Sequence, residues 1–272
     1  MRARLSLWLG AVLVGALVLT ALVSLVWTPF DPTLVDPSRR MQSPGWPHLL
    51  GTDSMGIDVL SRIMAGAQIC LFVGIVAVSI AALVGVPLGM LAGMKKGRVG
   101  RVVMRITDVL YAFPALLLAI LLAAAVGGST LTGMVAIGVA AIPVFTRITR
   151  AACLQVMSQD YVLAARSCGT TWPTIARRHV WPNIAPLVGV QASVSFAMAI
   201  LAEAALSYLG LATTITTPSW GRMLYEAQSK QLFSHPEQVI WPGLAIALAV
   251  LGFNLLGDGL RELLDPRLRE VQ

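Results

Sequence analysis

Long apolar runs separated by short polar clusters set the pattern of this chain. A helix crossing a bilayer needs ~20 mostly apolar residues, because each adds 1.5 Å toward ~30 Å of hydrocarbon. The first such run is 5–27, preceded by Arg2 and Arg4. It is too long for the apolar core of a signal peptide and no small-x-small cleavage site follows, so an uncleaved span is expected. The second run is 69–94. The uncharged stretch 109–146 is too long for one span, and Gly127, Gly128, Ser129 and Thr130 divide it into a hairpin that supplies the third and fourth. The fifth covers about 183–209 and the sixth 240–257. Lipid offers the backbone no hydrogen-bond partners, so every span is helical. The expected fold class is all-α integral membrane, with six transmembrane helices.

Composition agrees. Of 272 residues, 57% are apolar and 12% charged, and mean hydropathy is +0.78. Soluble domains carry roughly 25% charged residues, which excludes an ordinary cytosolic enzyme or a disordered chain. The net charge of +7 would suggest nucleic acid in a soluble protein. Here the cations cluster between apolar runs, which is a positive-inside bias, and no nucleic-acid partner is expected. With the N-terminus inside, fifteen of the 20 Lys and Arg fall on the inner side, from Arg2 and Arg4 through Lys95, Lys96 and Arg98 to Arg267 and Arg269. Arg39, Arg40, Arg62, Arg222 and Lys230 fall outside. Both termini are then cytoplasmic.

Little in the chain suggests catalysis. No phosphate-cradling loop is present, since 93–100 has the wrong glycine spacing. His48, His179 and His235 are scattered, so no metal site is visible, and Cys70, Cys153 and Cys168 read as free thiols. No nucleophile elbow occurs. Glu203 is the carboxylate lying well inside an apolar run, ~30 Å up the fifth helix, near the outer interface where water reaches it. Two readings stand for it: lining a solute route, or making a local helix contact. Asp108 reads as a carboxylate at the N-terminus of the third span, and Asp258 as one that snorkels to the cytoplasm. Gly85, Gly89 and Gly93 form a flat stripe, a packing seam within the chain or with a partner. Pro87, Pro114 and Pro143 sit inside spans two, three and four and bend them.

Three segments lie outside the spans: the outer loops 28–68 and 211–239 and the inner loop 151–182. In the inner loop, residues 160–169 read as a short helix ended by Gly169, which takes a left-handed cap without steric cost. A second helix starts near Trp172, with Pro173 in its first turn, and stops near Pro182. Ala164 and Ala165 leave a small surface that another protein can approach closely. The pattern is read either as a docking platform or as an ordinary amphipathic loop.

These residues resemble a known family. Ala164, Ala165 and Gly169, followed by His179 and Pro182, are similar to the Glu-Ala-Ala loop of ATP-binding-cassette importer permeases, with Leu163 in place of the Glu. Tyr161, Val162, Arg166, Arg178 and Asn183 bring the likeness closer to the C-type subunit of the dipeptide, oligopeptide and nickel branch. So do the segments 50–62, 202–211, 218–221 and 257–267. The resemblance implies a type I importer permease fold with cytoplasmic coupling helices, in a bacterial plasma (inner) membrane. It implies import of dipeptides or short oligopeptides, with nickel chelates or glutathione as alternatives; a stand-alone secondary transporter is the rival class. The implied partners are a B-type permease subunit, two ATP-binding-cassette ATPases that bind ATP and Mg, an extracytoplasmic solute-binding protein and membrane lipid. No cofactor is implied in this chain, which is not itself an enzyme.

The resemblance assigns Tyr161, Ala164, Ala165, Arg166, Gly169, His179 and Pro182 to contact with the ATPase. Gly51, Asp53, Gly56 and Asp58 are assigned to binding-protein docking, although Asp53 and Asp58 read equally as caps of a helix leading into span two. The expected organisation is a first helix plus outer loop (1–68), a five-helix core (69–260) holding the coupling loop 151–182, and a cytoplasmic tail (261–272).

Overall fold

The computed structural model describes residues 2–95, 97–127, 129–212, 217–228 and 235–264, with side chains from residue 5 onward. Lys96, Gly128, Lys230, Arg267 and Arg269, the side chains of Arg2 and Arg4, and the tail beyond 264 lie outside the described residues. The described chain is helical: α1 (Arg2–Val26), α2 (Val59–Met94), α3 (Arg98–Tyr111), α4 (Ala115–Val126), α5 (Thr130–Met157), α6 (Asp160–Ser167), α7 (Trp172–Ile175), α8 (Trp181–Tyr208), α9 (Trp220–Gln228) and α10 (Glu237–Leu264). A π-helical turn, Ala176–Val180, joins α7 to α8 without a break. Among the described residues five helical segments are long and apolar enough to cross a membrane, and α3 with α4, bent by 85°, counts as a sixth only if the pair is taken as one span.

The ends of the helices follow local chemistry. Asp58 caps α2, accepting from the backbone N–H of Ser61 at 2.8 Å, and so starts that helix ten residues before the apolar run begins. The boundary expected at 68/69 therefore falls inside α2, and that at 260/261 falls inside α10. Gly127, at φ +102°, ends α4. Ser129 then opens α5 with a reciprocal capping box to Thr132. The expected break between spans three and four is thus where the chain turns.

The third span departs from expectation. It is not one helix starting near 109, because Pro114 stands at the N-cap of α4 and α3 meets α4 at 85°. Proline keeps the preceding residue out of helical geometry, so the bend falls at Ala112–Phe113–Pro114. Pro114 thus breaks the span instead of lying inside it. Asp108 is not at a helix N-terminus either: it lies in the last turn of α3, with Arg147 of α5 2.5 Å away.

Small residues bring the spans together. A Cβ on Gly89 would stand 2.6 Å from the Thr146 carbonyl oxygen, one on Gly85 2.7 Å from Phe145 Cβ, and one on Gly93 2.7 Å from Cys153 Cβ. The glycine stripe is therefore the seam between α2 and α5 of this chain. Gly10, Gly252 and Gly259 do the same between α1 and α10. Buried Val73, Met134, Phe145, Ile200 and Leu206 fill the space between the helices.

Candidate functional site

Two ends of the bundle carry polar structure, and the segment 160–183 dominates one of them. Gln159 precedes α6, and Asp160 lies in its first turn, where a carboxylate suits the helix dipole. Gly169, at φ +80°, turns the chain; its N–H donates to the Arg166 carbonyl (2.9 Å), and that of Thr170 donates to the Ala165 carbonyl (3.1 Å). No atom lies within 4 Å of a Cβ built there, so the left-handed backbone alone selects glycine. Pro173 occupies the first turn of α7, where a missing N–H costs nothing, and Pro182 follows directly on the π-helical turn.

Burial divides this segment into an anchor and a face. Val162, Ile175 and Val180 are fully buried and join Met94, Cys153 and Ile184 in one cluster at the base of α2, α5 and α8. Tyr161, Leu163, Ala164, Arg166, Gly169, Trp172 and Pro182 are exposed, and Ala165 and His179 are half-buried. The Arg166 guanidinium lies 4.8 Å from the centre of the Trp172 ring. The Tyr161 and His179 rings are 5.8 Å apart, and Asn183 donates through Nδ2 to the Tyr161 hydroxyl (3.3 Å) and the His179 carbonyl (2.7 Å). All seven residues assigned from the sequence thus share one compact region, with the α6 residues facing out across the Gly169 corner. Leu163, Trp172 and Asn183 belong with them.

At the opposite end, residues 28–58 and α9 form a polar cap. Arg62 pairs with Asp53 and, at 2.8 Å, with Glu226 of α9, and Arg222 pairs with Glu226 at 3.0 Å. His48 Nδ1 lies 2.9 Å from Asp58 Oδ1. Gln238 donates to the Thr52 carbonyl at 2.8 Å and Trp220 Nε1 to the Ile63 carbonyl at 3.0 Å. Gly51, Asp53, Gly56 and Asp58 are all buried. Asp58 is the cap of α2, while Asp53 accepts from the N–H groups of Met55 (2.8 Å) and Ile57 (2.9 Å). These four residues shape the loop and do not furnish its exposed surface. At the rim of the cap, the Thr33 and Ser38 hydroxyls hold the carboxyls of Asp31 and Asp36 below the usual carboxylate range.

Glu203 is not open to water as expected. It is buried in α8, and its Oε1 accepts from Ser207 (2.6 Å) and from Ser219 (2.8 Å) of the segment leading to α9. Among the described residues no three His, Cys, Asp or Glu side chains converge on a metal-sized site.

Residues 85–270 match the family model described as binding-protein-dependent transport system inner membrane component. The chain is 41% identical over 264 residues to the glutathione transport system permease protein GsiD of Pectobacterium atrosepticum, covering 95% of this chain and 87% of that protein. It is 37% identical over 262 residues to the dipeptide transport system permease protein DppC of Alkalihalophilus pseudofirmus, covering 96% and 85%. With the di/tripeptide transport system permease protein DppC of Pseudomonas aeruginosa the identity is 39% over 275 residues, covering 97% and 89%. In fold it is similar to a chain of the inward-facing MetNI methionine ABC transporter, with a TM-score of 0.64 at 17% identity over 75% of this chain and 96% of that one.

Proposed function

This chain belongs to the family of binding-protein-dependent transport system inner membrane components, and from that premise we propose that it forms half of a permeation path for short peptides, driven through the α6–α7 corner by a separate ATPase. It is a multi-pass inner-membrane permease subunit and not itself a catalyst. The solute class covers di- and tripeptides and glutathione, which is itself a tripeptide; relatives named for each are similarly close to this chain. A second, B-type permease chain completes the path, two ATPases bind ATP and Mg, and a solute-binding protein delivers cargo to the cap formed by 28–58 and α9.

The observation that carries this reading is the split of 160–183 into a buried anchor and an exposed face across Gly169. A protein gripping Tyr161, Ala164, Ala165, Arg166 and Gly169 moves Val162 and Ile175 with them, and hence the bases of three spans. His179 and Pro182 pass that movement into α8. Ten of the fourteen Lys and Arg with described side chains lie toward this end, which supports a cytoplasmic face and cytoplasmic termini.

The test is site-specific cross-linking in the assembled importer. Ala164→Cys should cross-link to a cysteine in the ATPase groove, in a yield that changes between nucleotide-free and ATP-bound states. A cysteine in place of Arg40, at the far end, should not react. Uptake of radiolabelled dipeptide and glutathione into proteoliposomes then ranks the solutes. No cross-link at Ala164, or uptake without the ATPase, overturns the reading.

A further inference from the structure

Helix α3 has three distinct faces. At about 100° per residue, Gly100 and Thr107 point to the protein and are buried. Val99, Val102, Ile106 and Val109 form a second face that is largely exposed, Val109 at 63%. Arg98, Arg101 and Arg105 form a third, exposed face roughly 100° around from the second. The helix turns 85° at Pro114 before α4 begins, and its N-terminus lies beside the α6–α7 corner, where Arg98 and Val99 line one groove with Leu163, Arg166 and Trp172. A helix lying in the plane of a membrane surface, with a protein wall on one side, has these faces: apolar toward acyl chains, basic toward headgroups, small toward the wall.

Next to α3 is a groove of about 430 Å³ whose lining includes Lys95, Arg101, Arg105 and Arg150. Its carboxylate, Asp108, is already held by Arg147. The Nε of Arg150 is buried without a hydrogen-bond partner. The groove therefore presents four cations alongside the apolar face of α3.

We propose that this groove binds the headgroup of an anionic phospholipid of the inner leaflet, with Lys95, Arg101, Arg105 and Arg150 around the phosphate and the acyl chains along Val102, Ile106 and Val109. Bound lipid clamps α3 to the membrane surface and fixes the bend at Pro114. This site is independent of the solute carried.

The experiment uses the assembled importer and native mass spectrometry, titrated with dioleoyl-phosphatidylglycerol or dioleoyl-phosphatidylcholine. Wild type should retain phosphatidylglycerol preferentially. A Lys95→Gln/Arg101→Gln/Arg105→Gln variant should lose that preference by on the order of a hundredfold, from about fivefold per cation. The equally charge-depleted Arg177→Gln/Arg178→Gln/Arg261→Gln variant should keep it. Soluble glycerol phosphate should displace the lipid poorly, because it lacks chains for the valine and isoleucine face. Equal loss in both variants, retention in the first, or displacement by glycerol phosphate at lipid-like concentration overturns the proposal. If the first variant fails to assemble, a headgroup photolabelled phosphatidylglycerol is used on wild type. Label on α3 or on Arg150–Leu154 supports the site, and label confined elsewhere overturns it.

Discussion

The Arg62 guanidinium at the start of α2 lies 2.8 Å from the Glu226 carboxylate of α9, and the same nitrogen holds Asp53. All three side chains are almost fully buried. Removing one partner of a buried pair leaves the remaining charges uncompensated, at about 3–5 kcal/mol. Arg62→Met should therefore lower the thermal midpoint of the detergent-solubilised chain and open residues 28–58 to protease, whereas Arg62→Lys should do so to a smaller extent. An unchanged protease pattern in the Met variant would contradict the pairing.

Ser207 and Ser219 both donate to one oxygen of Glu203, and both serines are buried. Glu203→Leu strands two hydroxyls at roughly 1–3 kcal/mol each. Glu203→Gln keeps an acceptor oxygen and should cost less. Thermal unfolding of the two variants checks the order, and equal midpoints would count against this bonding.

Gly89 and Gly189 make a matched pair. A methyl at Gly89 meets α5 backbone at 2.6 Å, while one at Gly189 meets nothing within 4 Å. Gly89→Ala should destabilise by about 1–3 kcal/mol through overpacking. Gly189→Ala should be neutral or stabilising by up to about 1 kcal/mol, since alanine suits a helix interior better. The comparison is read from midpoints in one detergent, and a reversed order would refute the α2–α5 seam.

Ile175 and Trp172 sit three residues apart, the first buried in the anchor and the second exposed. Ile175→Ala should cost about 2–5 kcal/mol as a core truncation. Trp172, 40% exposed, lends little to stability, so Trp172→Ala should leave the midpoint within about 1 kcal/mol while lowering uptake per ATP hydrolysed. Proteoliposomes supply the second readout, and full coupling in the Trp172 variant would remove it from the ATPase-facing surface.

At Gly169 the φ of +80° penalises any L side chain, by about 1–2 kcal/mol for ordinary residues and less for asparagine. Gly169→Asp should insert normally and uncouple hydrolysis from uptake, with Gly169→Asn intermediate. Wild-type transport by the Asp variant would refute a role for this corner in coupling.

Much of this molecule is written in local signals. All the spans but the third follow from uninterrupted apolar length, and the Gly169 corner and the 127–130 turn from residues with a single backbone use. What is not legible is long-range. Asp108 reads as a cap because its partner, Arg147, is 39 positions away and comes near only once Pro114 has turned α3 aside. Glu203 reads as open to water because nothing local announces Ser219. Asp53 and Asp58 read equally as caps or as partner contacts, because their buried contacts, Arg62 and His48, are met only after the outer loop folds back. A polar residue in a sequence does not reveal whether its counterpart is solvent, another protein or its own chain.

From Trp172 to Tyr208 the backbone is one uninterrupted helical run of 37 residues, about 55 Å of rod at 1.5 Å per residue. It has no slack. Whatever displaces its foot must tilt, twist or slide the far tip, where Glu203 grips Ser219 and the outer cap begins. Under the proposed coupling, one continuous rod would link a push at its cytoplasmic foot to the outer cap without a relay of separate helices.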